Sequence, residues 1–289
     1  MNEIINCYRT WSKSYFKDYY SSEKNYPAIH VKIINQILKK NKVKKLLDVG
    51  CGPASILRLL NDKNLDCYGF DLTPDMVEEA KKYFKSKKKK SENLWIGNAL
   101  KEKDYKKQLK KYDGCICFGV FPHLKDKDEL KVFKNILSVL NTDGIVLIEA
   151  RNSLFSLFTQ NRYTSDFLKN EIINSNSKIS QERENIPKVL EKINQRLFMN
   201  EPKIRKGKKN SPGYDEILSK SNNPFVLREK MLKAGFSSVE PLFYHYHAFP
   251  PVYKKFFPKT YLKRSLEIEN PNDWRGYFMA SAFILYGRK

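Results

Sequence analysis

The sequence predicts an α/β fold: a seven-stranded, mostly parallel sheet with helices on both faces, preceded by an N-terminal helical cap and interrupted by a helical lid insertion. Three observations carry that prediction. An apolar run, Val43 to Val49, enters a turn at Gly50-Cys51-Gly52 and leaves it on a helical pattern. Apolar runs then alternate with amphipathic stretches as far as Glu149, as a parallel sheet covered by helices requires. Asp71 ends the second run about 20 residues beyond the glycines, where a carboxylate at a strand tip can accept from two ribose hydroxyls.

Residues 1–40 form the cap. They are rich in rings (Tyr8, Trp11, Tyr15, Phe16, Tyr19, Tyr20, Tyr26), and Trp11, Tyr15 and Tyr19 recur at helical spacing. Such a face either packs a helix on the sheet or closes a ring over a cation. Residues 41–150 form the α/β core. After its first strand, Pro53 suits the first position of a helix whose buried face is Ile56, Leu57, Leu59 and Leu60. Leu65 to Phe70 gives the second strand, and the following helix starts with Thr73 as cap, Pro74 in the first turn and Asp75 at the positive end of the dipole, with Met76, Val77 and Ala80 apolar. Asn93 to Ile96 is the third strand, running into Gly97-Asn98-Ala99. The fourth starts at Tyr112 and exits through Phe118 to His123, Asp128 to Leu140 is amphipathic, Thr142-Asp143-Gly144 turns the chain, and Ile145 to Glu149 is the fifth.

The residues around the glycines separate two cofactor classes. A dinucleotide fingerprint wants a third glycine beneath a pyrophosphate, and here that place is Ser55. Asp48, two residues before Gly50, is a poor neighbour for a pyrophosphate but suits an ammonium group. The segment Leu46-Leu47-Asp48-Val49-Gly50-Cys51-Gly52 resembles motif I of the class I S-adenosylmethionine-dependent methyltransferases, a Rossmann-like family, and "DLTPDMVEEA" and "LNTDGIVLIE" resemble its later motifs in the same order. The resemblance covers Leu46 to Glu149. It implies S-adenosylmethionine as cofactor, held by Asp48, Gly50, Cys51, Gly52, Asp71, Leu72, Met76, Asn98, Ala99 and Phe118. Asn98 stands where many relatives have Asp, and its amide oxygen can accept from the adenine amine in the same way.

Composition bounds the partners. At 289 residues and 41% hydrophobic the chain suits one α/β domain with an accessory segment. No secretory signal is expected from Met1 to Thr10, and no run is long enough to insert in a bilayer. Five cysteines, Cys7, Cys51, Cys67, Cys115 and Cys117, include no CxxC pair, so reduced thiols, a cytoplasmic setting and no metal site are expected. The net charge of +22 invites an acidic partner, but lysine, asparagine, isoleucine, tyrosine and phenylalanine are abundant together, as an AT-rich genome produces without any such partner, and charge alone decides neither. The run Lys85 to Lys90 has no interleaved aromatics for base stacking, so an anionic small molecule is preferred to nucleic acid.

Residues 151–223 replace the short connection of a minimal methyltransferase. Helical stretches at Asp166 to Ile173 and Ile186 to Phe198, then the tract Lys203 to Lys209, form an insertion placed to select substrate, with Arg162 and Tyr163 available to fork onto an anionic group and stack on a ring. Residues 224–289 resume the core: a helix from Pro224 to Ala234 ended by Gly235, a sixth strand at Val239 to His247, a wrap at Pro250 to Pro258, and an antiparallel seventh strand at Gly276 to Tyr286.

A sulfonium methyl has a neutral leaving group, so transfer is a direct displacement in which positioning and a general base suffice. The candidate bases are His245 and His247 on one face of the sixth strand, His123 after the fourth and Glu149 at the end of the fifth, with Tyr15 as a substrate contact. The exit Phe118-Gly119-Val120-Phe121-Pro122 lacks the Asn/Asp-Pro-Pro-aromatic loop with which relatives present a base amine, and no cysteine follows a proline. The expected reaction is therefore O-methylation of a sugar, nucleotide-sugar or similar small metabolite, as in surface-saccharide biosynthesis. An RNA methyltransferase and a non-catalytic S-adenosylmethionine-binding partner are the alternatives.

Overall fold

Each apolar run becomes a strand in the computed structural model, which describes residues 2–20, 26–60, 62, 64–109, 111–173, 188, 191–192, 195–196, 205–207 and 211–289. Most of the stretch at 186–198, and positions 203–204 and 208–209 of the basic tract, lie outside the described residues. The strands are β1 (Lys45–Val49), β2 (Asp66–Asp71), β3 (Leu94–Ile96), β4 (Tyr112–Cys117), β5 (Leu140–Arg151), β6 (Ser238–Tyr246) and β7 (Ala280–Arg288). They form one sheet in the order β3-β2-β1-β4-β5-β7-β6.

The first five strands pair in parallel, with Asp48 opposite Gly69 of β2 and Ile116 of β4, and Cys117 of β4 opposite Ile148 of β5. Leu46, Leu47 and Val49 are fully buried, as a central strand covered on both faces must be. Hydrogen bonds from Ser237 N–H to the Arg288 carbonyl and from His247 N–H to the Met279 carbonyl run in opposite chain senses, which makes β7 antiparallel to β6. Chain order reverses between β1 and β4. The loops leaving their carboxyl ends therefore diverge, which is where such sheets open a crevice.

The chain divides into two compact units, one of residues 1–150, 205–242 and 284–289, the other of residues 151–204 and 243–283. In the first unit the cap is two helices, Asn2–Trp11 and Tyr15–Tyr20, with a turn between them, followed by Ile29–Lys40, which buries Val31, Ile33, Ile34 and Leu38. The turn does not disperse the rings: Tyr15 lies 5.6 Å from Trp11 and 4.9 Å from Tyr19 between centroids. Helices Pro74–Ser86, Asp126–Val139 and Pro224–Lys233 follow their expected positions. Asn223 caps the last by accepting from Phe225 N–H, and Gly235 (φ +111°) ends it.

Three expectations are corrected. Pro53 does not start the helix after β1, because Ala54 is left-handed (φ 62°) and the helix runs over Ser55–Leu59. Thr73 occupies the cap position of the next helix without a side-chain cap bond. The stretch at 276–279 is a helical turn: a Cβ on Gly276 would stand 2.4 Å from Phe243 Cβ, and Asn152 Nδ2 bonds the carbonyls of Gly276, Tyr277 and Ala280 (3.1, 2.8 and 2.8 Å). β7 begins only after that pin. Beyond the expected wrap, which holds a short 3-10 turn over Pro251–Tyr253, a further helix spans Pro258–Glu267.

Candidate active site

The glycine loop is shaped by its own main chain. Gly50 and Cys51 both donate N–H groups to the Phe70 carbonyl (2.8 and 3.0 Å), tying the loop to β2. Gly50 (φ +75°) has no room for a side chain, since a Cβ would stand 2.2 Å from Val120 Cγ2. Gly52 (φ +52°) and, at the exit of β4, Gly119 (φ +71°) have nothing within 4 Å of that position. The same edge is thus closed at one glycine and open at two.

Two carboxylates define this edge. Asp48 is buried, 2% exposed, and its Oδ1 has no hydrogen-bond partner among the described residues. Burial, and then the charge of Asp71, push its carboxyl well above the usual range. Asp71 accepts from Thr73 N–H on Oδ1 (2.8 Å) and Gly52 N–H on Oδ2 (2.9 Å). Burial raises its pKa too, against the pull of those N–H groups and of the Thr73 hydroxyl. The Thr73 side chain is thus spent on Asp71, which explains the missing cap bond.

The neighbouring residues extend the edge. Glu149 accepts from Gly119 N–H at 2.9 Å, and strand register sets it one residue beyond the Cys117–Ile148 pair. The Tyr20 phenol is held protonated by burial and then by the negative charges of Glu149 and Asp48. His30 bridges Tyr20 (5.7 Å) and Phe118 (5.8 Å) through ring contacts. Met76 is buried in the first turn of its helix, and Cys51 is a buried thiol held protonated by burial and the two aspartates. Leu72 and Ala99 are half-buried. Asn98 Oδ1, expected to face an adenine amine, accepts from Leu100 N–H at 2.8 Å, and Asp104 takes the Asn98 N–H.

His123 is held through both ring nitrogens. Its Nδ1 lies 2.6 Å from the Leu218 carbonyl and so carries the hydrogen, and its Nε2 accepts from the Tyr8 hydroxyl at 2.8 Å. Both nitrogens are engaged, and the ring joins the cluster of Tyr8, Trp11, Tyr15 and Tyr214. Tyr15 is inside that cluster, its phenol raised by burial and the surrounding tyrosines.

The other expected residues belong to the second unit. His245 sits at φ 61°, a kink in β6, and its ring stacks on His247 (5.1 Å, 16°). Tyr261 donates to the Phe249 carbonyl (2.9 Å), so its oxygen accepts from His247 Nδ1 (2.7 Å) and leaves Nε2 as the acceptor nitrogen. That Nε2 is buried with no partner among the described residues. Burial, then Lys254, lowers His245 to about 4, and burial, then His245 and Lys254, drives His247 well below the usual value. Arg162 and Tyr163 stack on each other, the guanidinium 5.0 Å from the ring centre.

Sequence reasoning missed Thr73 as a support for Asp71, the Tyr20–His30–Phe118 chain and the Gly119–Glu149 bond. The Asp-x-Thr spacing could have revealed the first, since an aspartate accepts readily from the N–H two residues on. The others join residues from separate elements.

The fold, the glycine loop and the two strand-tip carboxylates define the architecture of the class I S-adenosylmethionine-dependent methyltransferases. The chain belongs to the methyltransferase domain family, whose model matches residues 40–210, more than half of its length. S-adenosylmethionine is the cofactor of that family, and this edge fits it: an orphaned buried carboxylate oxygen for its ammonium group, Asp71 for its ribose, and Cβ-free openings at Gly52 and Gly119.

Over 158 residues the chain is 28% identical to a probable S-adenosyl-L-methionine-dependent methyltransferase, TehB, of Haemophilus influenzae (strain 10810), covering 54% of this chain and 52% of that protein. It spans about half the length of the curated relatives it matches. Among solved structures, it resembles an S-adenosylmethionine-dependent methyltransferase from Clostridium acetobutylicum ATCC 824 (TM-score 0.54, 10% identity, 89% of each chain covered). The methyltransferase domain of bacterial CtHen1 is similar too (TM-score 0.52, 15% identity, 90% of this chain and 97% of that one). At these identities the likeness concerns the fold.

Proposed function

We propose that this chain transfers the methyl group of S-adenosylmethionine to an oxygen of a sugar, a nucleotide-sugar or a similar small metabolite by direct displacement with a general base. The observation that carries the reading is the buried Asp48 oxygen without a partner, beside an Asp71 held by main-chain N–H groups. A protein gains nothing from such an oxygen unless a donor arrives to meet it.

The cofactor, when bound, supplies an electrophilic methyl group on a sulfonium whose departure leaves a neutral thioether. Asp48 binds the ammonium end, and Asp71 accepts from the ribose hydroxyls while Gly52 and Thr73 keep its carboxylate in place. Tyr20, held neutral near Glu149 and Asp48, closes the edge as a hydrogen-bond donor. Glu149, oriented by Gly119 N–H, takes the proton of the acceptor hydroxyl. The net charge of +22, with Arg162 and Tyr163 side by side, suits an acceptor that carries an anionic group.

A second reading gives the proton to His247, favoured by its fixed tautomer and partnerless Nε2. Methyl-labelled cofactor incubated with pools of saccharides, nucleotide-sugars, other small metabolites and RNA tests the proposal. Label in a small hydroxylated acceptor is the expected result, and label in RNA alone, or in nothing while the cofactor binds, contradicts it.

A further inference from the structure

From Phe249 to Leu266 the second unit carries five cations (Lys254, Lys255, Lys259, Lys263, Arg264), five aromatic rings and three prolines, and no carboxylate. The helix Pro258–Glu267 turns Tyr261 and Ser265 inward and leaves Lys259 and Lys263, four residues apart, on its exposed side. Arg264 pairs with Glu267 at 2.7 Å, whereas the four lysines have no carboxylate within ion-pair distance among the described residues. Phe256 is 67% exposed, Tyr253 42% and Phe249 37%. Phe257 and Tyr261 pack behind Phe249, whose ring centre lies 5.4 Å from that of Phe257 and 6.4 Å from that of Tyr261. Neither the fold nor the proposed methyl transfer uses these outward rings.

We propose that this aromatic and basic surface docks on a membrane surface rich in anionic lipid, with Phe256 and Tyr253 entering the boundary between headgroups and acyl chains and the lysines staying among the phosphates. Charge complementarity calls for an anionic occupant, since apart from Glu267, which pairs with Arg264, the cations are concentrated here without acids. Ring geometry selects lipid over nucleic acid. Stacking of bases needs open ring faces. Here the Lys255 ammonium covers one face of Phe256, 4.8 Å from its centre, and Tyr253 lies nearly parallel to Phe257 (6.3 Å, 21°), so neither ring offers both faces to a stack of bases. What the surface offers outward is apolar area flanked by ammonium groups, the composition of an interfacial anchor.

The test is binding of the full chain to sedimentable vesicles of phosphatidylcholine, with and without about one third phosphatidylglycerol. A protein of this charge has some attraction for any anionic surface, so the decisive variant keeps the charge: Phe256→Ser/Tyr253→Ser, at exposed positions whose loss spares the core. Binding only to the phosphatidylglycerol vesicles, weakened about tenfold by that double substitution, is expected. Neutralising four lysines elsewhere, by Lys87→Gln, Lys88→Gln, Lys89→Gln and Lys90→Gln together, is expected to cost less than about threefold. Equal binding by the parent and the Phe256→Ser/Tyr253→Ser variant overturns the proposal. So does an equal loss in the lysine variant, which would make net charge the cause. Polyuridine binding that depends on Phe256 and Tyr253 as strongly assigns the surface to nucleic acid instead. The vesicle readout is independent of methyl transfer.

Discussion

Asp48 and Asp71 are held at the tips of β1 and β2 by strand register and main-chain N–H groups, whereas His245 and His247 in the second unit are held by each other, by Tyr261 and by a kinked strand. Burial favours the neutral form in both pairs, with opposite consequences. It leaves the carboxylates short of a positive partner, and so disposed to bind one. It leaves the histidines already neutral at physiological pH, as acceptors rather than charges.

The largest expected effect is on the carboxylate side. Asp71→Ala removes the acceptor for two ribose hydroxyls and frees the Gly52 and Thr73 N–H groups, so affinity for S-adenosylmethionine should fall about a thousandfold, on the order of 4 kcal/mol, by calorimetric titration. Next comes the base. Glu149→Gln keeps an acceptor for Gly119 N–H but cannot take a proton, and kcat should fall about a hundredfold with cofactor affinity unchanged. If His245→Ala/His247→Ala lowers kcat by that factor and Glu149→Gln does not, the second reading is the right one.

Acid stability separates the pairs further. A histidine whose folded pKa lies below 6.5 contributes stability that is present above that value and lost as pH falls through the folded value, about 4 for His245. His245→Gln/His247→Gln should therefore flatten the loss of thermal stability between pH 6.5 and 4, by on the order of 2 kcal/mol. Asp48 has the reverse sign. Its raised pKa gives stability that is present below about 4 and lost as pH rises through the folded value. Asp48→Asn should melt about 3 °C above the parent at neutral pH, and the difference should vanish in acid.

The comparison also explains what the sequence made legible. The first five strands, the glycine loop and Asp71 were readable because local rules set them: apolar runs, residues tolerant of left-handed backbone, and a fixed spacing between strand tips. His245 and His247 were readable as neighbours on one strand face, but not Tyr261, which fixes the tautomer from another helix. That Leu218 and Tyr8 engage both nitrogens of His123 was not readable, because both partners come from distant parts of the chain. The turn at 276–279 was hidden for the same reason: its pin, Asn152, is more than a hundred positions away in the chain. Pro53 misled because the left-handed residue that delays the helix is an alanine, which carries no such signal.

Titration of S-adenosylmethionine in two buffers of different ionisation enthalpy tests most directly whether the cofactor is the missing partner of Asp48. Binding should release a proton as the ammonium group draws Asp48 into its charged form, and Asp48→Asn should bind more weakly and release none. Equal affinity and equal proton release in the parent and in Asp48→Asn would show that this carboxylate takes no part in holding the cofactor.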